Sequence, residues 1–565
     1  MSSQSERRLT PGDRRVLMGY GPAVLIIGAF LVMAFLVPSV APERDVPATN
    51  TSAHGGSSQP IGGTSGTTTT STTTGAGGTS PGGTTAPTGA SNSATPSTVV
   101  SSSPQAHVAG CSGPQVPGDP YSPPCVSFSG SNGGATSRGV SANQIVVTYM
   151  NPTDGSKSID EDIESVTGSY NSVIFPEPYA QMINTMQELV TYFNKHFQFY
   201  GRQIVLKVFN GQQDSAGDNE ANVQADALNV ADNIGAFAEI NATSLAYVDA
   251  LTAQHVLNFS SFYGDEATYQ ANAPYSWSSG PDCTEIGQDV GQVAAKDLVG
   301  HPTSYGGTGV PNGETRKFAV VYDDLPYLSS CAQLVSSDLS AAGQPPVTTI
   351  AYDTNVNVAT ATAQSTVQQL INDNVTTVLC ICDPVGELLF ADDMQNDHYE
   401  PEWLLGGIVG EETDDIAQEM PQSIWAHVAM ATSEEALAGK YGSTIAYFAA
   451  KSEDPNNALI VNEVDVLYER LYQLALGIQL AGPDLTPQSF AQGMWSYQGA
   501  DGPYGPQTYT YNGTRYFSVT HQYKIQWYNP SIVSQSDGEQ GTWVSNGTWY
   551  STPPDPLPIF PNGPQ

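Results

Sequence analysis

From Ile145 onward, short apolar runs alternate with longer stretches whose apolar residues recur at helical spacing, and this alternation constrains the fold more than any other feature. Ile145 to Tyr149 reads as a strand, and Phe175, Tyr179, Met182, Ile183, Met186, Leu189, Val190 and Phe193 form one helical stripe. Strands follow at Ile204 to Phe209, Phe237 to Ile240 and Val256 to Phe259, with a helix beginning near Val223. Such a βαβαβ succession predicts a parallel sheet with helices on both faces. A Gly- and Pro-bearing loop at 300–315 interrupts the pattern, which then restarts. Strands at Phe318 to Tyr322, Val347 to Tyr352, Thr377 to Ile381 and Trp403 to Leu405 alternate with helices at Ser330 to Ala342, Ala361 to Asn372 and Val385 to Gln395. Ile424 to Met430 reads as extended, and Tyr516 to Trp527 alternates like an edge strand. Between them Val464, Leu467, Tyr468, Leu471, Leu474, Ala475 and Ile478 mark a helix stopped by Gly482-Pro483. Two α/β halves joined by more than one crossing predict a two-lobed clamshell with a cleft between the lobes.

The first quarter of the 565 residues is of another kind. Arg7, Arg8, Arg14 and Arg15 precede an uncharged apolar run from Val16 to Val37, about the 20 residues a spanning helix needs. The basic flank places the N-terminus in the cytoplasm and the remainder outside. A retained signal-anchor and a cleaved signal peptide both fit; Pro42, directly after Ser39-Val40-Ala41, favours the anchor. Residues 46–118 carry no charge and are dominated by Ser, Thr, Gly, Pro and Ala, too little apolar surface to offset the entropy of ordering. A Gly78-Thr79-Ser80-Pro81-Gly82 match to a hydrolase elbow falls there, with no strand before it or helix after it. The expected organisation is a cytoplasmic tail 1–15, a membrane segment 16–37, a disordered stalk 38–138, a binding domain 139–530 and a tail 531–565. Lobe 1 comprises about 139–282 and 431–515, lobe 2 about 316–430 and 516–530.

A formal net charge of −37, from 18 basic and 55 acidic side chains, argues against nucleic acid as a partner, since phosphate binding needs a basic face. The six cysteines, all beyond the apolar run, are expected in disulfides. Cys111 with Cys125 is the local pairing; Cys283, Cys331, Cys380 and Cys382 remain open. Cys380 and Cys382, two apart in a strand pattern, point to one face, so a bond between them would need strain. The histidines are scattered and no metal or cofactor is expected.

Several stretches resemble type 1 periplasmic binding proteins of the leucine/isoleucine/valine-binding kind. They are Gly139-Val140-Ser141-Ala142-Asn143-Gln144-Ile145 at the start, Tyr192-Phe193-Asn194 leading to Tyr200-Gly201-Arg202-Gln203-Ile204, and 318–324 with Tyr327. The stretch from Gly386 to Tyr399-Glu400-Pro401-Glu402-Trp403 and that from Leu476 to Pro483 also fit, so the resemblance covers about Gly139 to Asn529. It implies the same clamshell, closing over a small polar ligand such as an amino acid without chemistry. By position, Thr243 and Ser244 would supply one hydroxyl cluster for a ligand carboxylate, and Ser260 and Ser261 a second. Thr243 and Ser244 equally suit a helix cap. Tyr327 would lie over the ligand, with Tyr170 a further aromatic candidate.

Departures from the pattern occur in the second lobe. Gly406 to Gly410 intervene where an acidic partner for the ligand ammonium is usual, and Glu411 and Glu412 arrive late. Asp383 could substitute, or simply cap the helix ahead of Pro384. The implied role is a membrane-held solute-binding protein serving an ABC permease. A ligand-sensing ectodomain is the alternative, and a secreted hydrolase a weaker one. The adjacent acids Glu411/Glu412, Asp392/Asp393 and Asp414/Asp415 read as solvated surface.

Overall fold

The computed structural model describes Gln115 and residues 122–156, 179–214, 219–260, 264–278, 280–353, 356–408, 411–432, 445–453, 464–497, 523–535 and 538–550. The apolar run 16–37, Cys111, Tyr170 and Ser261 lie outside these residues. Among the described residues no helix is long and apolar enough to cross a membrane.

Two sheets organise the described chain. The first, in order β2-β1-β3-β4-β5, is parallel throughout: β1 (Gln144–Asn151), β2 (Gln203–Asn210), β3 (Ala238–Glu239), β4 (Leu257–Ser260) and β5 (Ser276–Ser278). The second, in order β12-β11-β10-β9-β8-β6-β7, has a parallel portion of β6 (Phe318–Asp323), β7 (Thr348–Tyr352), β8 (Thr377–Ile381), β9 (Glu402–Leu405) and β10 (Val428–Thr432). Position in the sheet explains composition. Central β8, β9 and β10 are buried at every residue, whereas edge strand β7 alternates. Strands covered on both faces have no solvent side to make polar.

Helices α1 (Tyr179–His196), α2 (Glu220–Leu228), α3 (Leu245–Ala253), α4 (Glu266–Ala271) and α5 (Cys283–Val293) precede the second sheet. Its strands alternate with α6 (Pro326–Ala341), α7 (Val356–Asn372) and α8 (Pro384–Asn396), then α9 (Asp414–Glu419) and α10 (Gln422–Trp425). The chain next returns to the first sheet through α11 (Ile445–Glu453), α12 (Val464–Ala481) and α13 (Pro487–Ser496). Phe193 of α1 packs its ring 5.1 Å from that of Tyr468 on α12, and Leu471, Tyr472 and Phe490 join the same core. Gly482 ends α12 at φ +78°, a conformation an L side chain resists.

The Gly-Arg pair before β2 has a structural purpose. Arg202 is buried and donates to the carbonyls of Ser141 (2.7 Å) and Pro483 (2.9 Å), and also to those of Asn132 and Gly134. One guanidinium thus ties the start of the domain to the turn after α12. Gly139, at φ +71°, lies so close to the backbone of Phe237 that a Cβ there would sit 2.2 Å from its nitrogen.

Four expectations are corrected. The stretch foreseen as a tail contains β12 (Gln540–Tyr550), which pairs antiparallel with β11 (Tyr523–Val533). The 516–527 segment is therefore not an edge where described, because β11 lies between β10 and β12. The extended reading of 424–430 fails at its start: Gln422–Trp425 is helical and the strand begins at Val428. Finally, Cys380 and Cys382 do bond each other. β8 ends at Ile381, so Cys382 already belongs to the turn into α8; the two Cα atoms are 5.2 Å apart, against about 6.6 Å for two residues of regular strand.

Cys283 pairs with Cys331, joining α5 to α6 across 48 residues. Cys125 is disulfide-bonded, but its expected pairing with Cys111 lies outside the described residues. The two described bridges differ in what they do for folding. Chain entropy gives a loop of this length about 4 kcal/mol and a three-residue loop under about 2 kcal/mol. The Cys283–Cys331 bond staples the fold; the Cys380–Cys382 bond adds little to it.

Candidate functional site

The loops after the strands of the first sheet meet the loops after the strands of the second. Leu245, opening α3, packs against the core beside β6 and α6, and Asp265, the cap of α4, accepts a hydrogen bond from Ser330 Oγ at 2.8 Å. Ligands of open α/β sheets lie at such carboxyl ends, so the polar groups gathered there form the candidate site.

At the first sheet, β3 ends in Glu239, which has no solvent exposure. Its Oε1 accepts from the backbone N–H of Met150 (3.2 Å) and Asn241 (2.9 Å), and burial pushes its carboxyl up to about 7. Asn241 in turn donates to the Met150 carbonyl at 2.8 Å. From α12, Arg470 reaches the Ile240 carbonyl (3.4 Å) and Asn241 Oδ1 (3.3 Å), and Gln473 reaches the Ser278 carbonyl (2.6 Å). Thr243 and Ser244, expected as one hydroxyl pair, divide into two roles. Ser244 caps α3, accepting from Tyr247 N–H, whereas the buried Thr243 hydroxyl has no hydrogen-bond partner among the described residues. Ser260 closes β4 opposite Ser278 of β5. The abrupt polar turn after β2 is a capping device: the Asp226 carboxylate of α2 accepts from the backbone of Gln212 and Gln213.

The second sheet gathers carboxyls. Asp323 ends β6, Tyr352 ends β7, Asp383 follows β8, and Glu387 lies one turn into α8. Asp383 caps α8 through the N–H groups of Val385 (2.7 Å) and Gly386 (3.2 Å), while its other oxygen accepts from the Tyr352 hydroxyl at 2.8 Å. The cap and the ligand candidate are thus one residue doing both kinds of bonding. Burial, then the neighbouring Asp383, holds Asp323 well above the carboxylate range, and burial, then Asp383, does the same to Glu387. Glu411 is held up by burial and then by Glu387, although it accepts from Ile408 N–H at 3.1 Å. Glu387 and Glu411 are near enough for the charge of Glu387 to raise Glu411, and neither Glu387 oxygen has a hydrogen-bond partner among the described residues. Among the described residues, no Lys or Arg forms a salt bridge with Asp323, Asp383, Glu387 or Glu411. Tyr327, in the first turn of α6, is buried beside this group; burial, then Asp323, Tyr269 and Asp383 push its hydroxyl up.

Tyr327 and Asp383 are therefore brought together, while Thr243 and Ser244 lie in the loop after β3 of the first sheet; Tyr170 and Ser261 lie outside the described residues. Asp323, Glu387 and Arg470 were not foreseen. The reading of Glu411 and Glu412 as solvated surface is overturned, since both are buried. The fold of 411–412 beneath β12, with Trp543 Nε1 donating to the Glu411 carbonyl at 3.0 Å, removes them from water. A strand-end Asp ahead of a helical pattern, as at Asp323, was the available signal. The 200 Å³ cavity lined by Arg138, Phe237, His255 and Tyr275 lies at the other, amino end of the first sheet.

No family model matches the sequence, and no curated protein matches it. Solved structures do. A solute-binding protein of an ABC transporter from Rhodopseudomonas palustris BisB5, in complex with 3,4-dihydroxybenzoic acid, superposes with a TM-score of 0.50 at 14% identity, over 73% of this chain and 99% of that one. A substrate-binding protein of an ABC transporter from Aeropyrum pernix gives 0.51 at 14% identity, over 74% and 98%. The chain has the α/β fold of the solute-binding proteins of ABC transporters, parallel sheets flanked by helices. At this identity the likeness is one of fold.

Proposed function

We propose that this protein is an extracytoplasmic solute-binding protein, held to the membrane by residues 16–37, which captures a small polar solute between its two sheets and hands it unaltered to an ABC permease. The observation that supports this reading is the set of buried polar groups at the carboxyl ends of the two sheets. One side presents Thr243, whose buried hydroxyl no described residue satisfies, beside Arg470 and Asn241; the other presents Tyr327, Tyr352 and Asp383. A solute with a carboxylate at one end and an ammonium or other donor at the other complements both sides, which fits an amino-acid-like compound. The fold neighbours support the class, one of them holding a small hydroxylated carboxylic acid. The described disulfides suit an oxidising compartment outside the cytoplasm. Ligand binding would stabilise the closed arrangement by its differential affinity for it.

The test is a thermal-shift screen of the full chain against amino acids, amides and small aromatic and aliphatic carboxylates. A true ligand at a hundred times its Kd adds about 2.7 kcal/mol of stability. Thr243→Ala should leave the unliganded melting point near its original value and abolish the ligand-induced rise. A rise unchanged in that variant and in Asp383→Asn would place the pocket elsewhere.

A further inference from the structure

We propose that the second sheet carries a thiol-gated site for a borderline-soft divalent cation such as Zn²⁺, formed by the sulfurs of Cys380 and Cys382 and the carboxylate of Glu387 once the disulfide between the cysteines is reduced. This goes beyond solute binding and does not depend on it. Three observations converge. The two Sγ atoms and a Glu387 carboxylate oxygen all lie within 4.8 Å of one another, and all three residues are buried. Bonds of about 2.3 Å to sulfur and 2.0 Å to oxygen at a tetrahedral angle put ligand atoms about 3.5–3.8 Å apart, so on reduction the two bonded sulfurs must part by about 1.7 Å while the carboxylate draws in. Second, neither Glu387 oxygen meets a hydrogen-bond donor among the described residues, and the titratable groups that act on it are other carboxyls, Asp383 and Glu411. A buried acid cluster with no Lys or Arg lacks positive charge, which a divalent cation would supply. Third, the Cys380–Cys382 bridge closes a three-residue loop and does little for the fold, unlike Cys283–Cys331. Holding two thiols in ligand spacing is a use that does not require a long loop.

The chemistry balances. A small dithiol attacks the disulfide and becomes a cyclic disulfide itself. Two electrons and two protons pass to the protein, leaving two cysteine thiols. The cation then displaces both thiol protons to solvent and binds two thiolates and one carboxylate; Glu411, adjacent to Glu387, is placed to hold that carboxylate in position.

The experiment uses Co²⁺ as the spectroscopic probe on the full chain, reduced with a dithiol and desalted without oxygen. Alkylation and mass spectrometry establish that Cys380 and Cys382 are free. The reduced protein should bind one more equivalent of Co²⁺ than the equally treated Cys380→Ser/Cys382→Ser variant, with near-ultraviolet thiolate-to-cobalt absorption; the oxidised protein should show none. Glu387→Gln keeps both thiols and should weaken Co²⁺ binding at least tenfold, at the lower edge of what loss of a metal-site group costs. This second variant keeps the test open should the double serine variant fail to fold. The proposal is overturned if the cobalt absorption persists in the double variant, if Glu387→Gln binds as tightly as the parent, or if the reduced parent takes up no extra cobalt. Failure of the bond to reduce, or loss of the native circular dichroism on reduction, counts equally against it.

Discussion

At the amino end of the second sheet Glu402 is wholly buried, and Arg316 grips it with two bonds of 2.7 and 3.1 Å. Thr377 and the backbone N–H groups of Ser304 and Tyr305 complete its shell at 2.8–2.9 Å. At the carboxyl end of the same sheet Asp323, Glu387 and Glu411 are about as deeply buried, yet no described cation answers them. A buried carboxylate that serves only the fold is surrounded by its full set of donors, because burying a lone charge costs far more than the fold can spare. Carboxyls buried without a cation are pushed toward the protonated form instead, which suits a surface that must exchange partners. The contrast separates the structural acid from the candidate binding acids within one layer of strands.

The hardest blow to this contrast should come from Arg316→Met. It strands Glu402 without its counter-charge and should cost about 3–5 kcal/mol in chemical denaturation; a loss below 1 kcal/mol would remove the distinction between the two ends. A smaller effect tests the unanswered acids through pH. Glu239, the corresponding buried carboxyl of the first sheet, is raised from 4.5 to about 7, with Thr148, Asn241 and Tyr247 around it. Between those values the folded chain holds a proton that the unfolded chain has released, so stability is greatest below the ordinary carboxyl range and falls as pH rises. The full loss is roughly 3 kcal/mol, and Glu239→Gln should flatten that part of the stability–pH curve. A profile as steep in the variant as in the parent would show that other groups carry it.

Weaker still, Asp383→Asn keeps the oxygen that caps α8 but removes the charge facing the gap. Solute affinity should fall about tenfold, or 1.4 kcal/mol, with stability preserved; calorimetric titration measures the first and denaturation the second. The smallest change is expected from Trp543→Phe, which keeps the ring against Tyr528, 5.6 Å away, and deletes the bond to the Glu411 carbonyl. About 1 kcal/mol should be lost; a much larger loss would mean that β12 does more than cover the acids.

The site was legible to different depths in the sequence. Asp383 could be picked out as a candidate because it stands at a strand end before a helical pattern, a position that local periodicity reveals, whereas Tyr327 was a candidate only through the family resemblance. Ser244 looked like either a cap or a ligand group, and the structure makes it the cap; the neighbouring Thr243 keeps the free hydroxyl. Glu411 and Glu412 were misread because an acidic pair in a polar stretch carries no local mark of burial. What buries them includes β12, more than a hundred residues downstream.

The alternation of strands and helices from β1 to β9, its parallel character there and the stop at Gly482 were determined by the sequence alone, since each follows from the periodicity or dihedral preference of neighbouring residues. Tertiary structure alone decided that Asp323, Asp383, Glu387 and Glu411 form one cluster, that Cys380 bonds Cys382 and that Arg470 reaches the end of β3. Those facts depend on which distant segments close over one another. A residue's spacing records the face of its own element that it occupies, and carries no record of what will come to lie against that face.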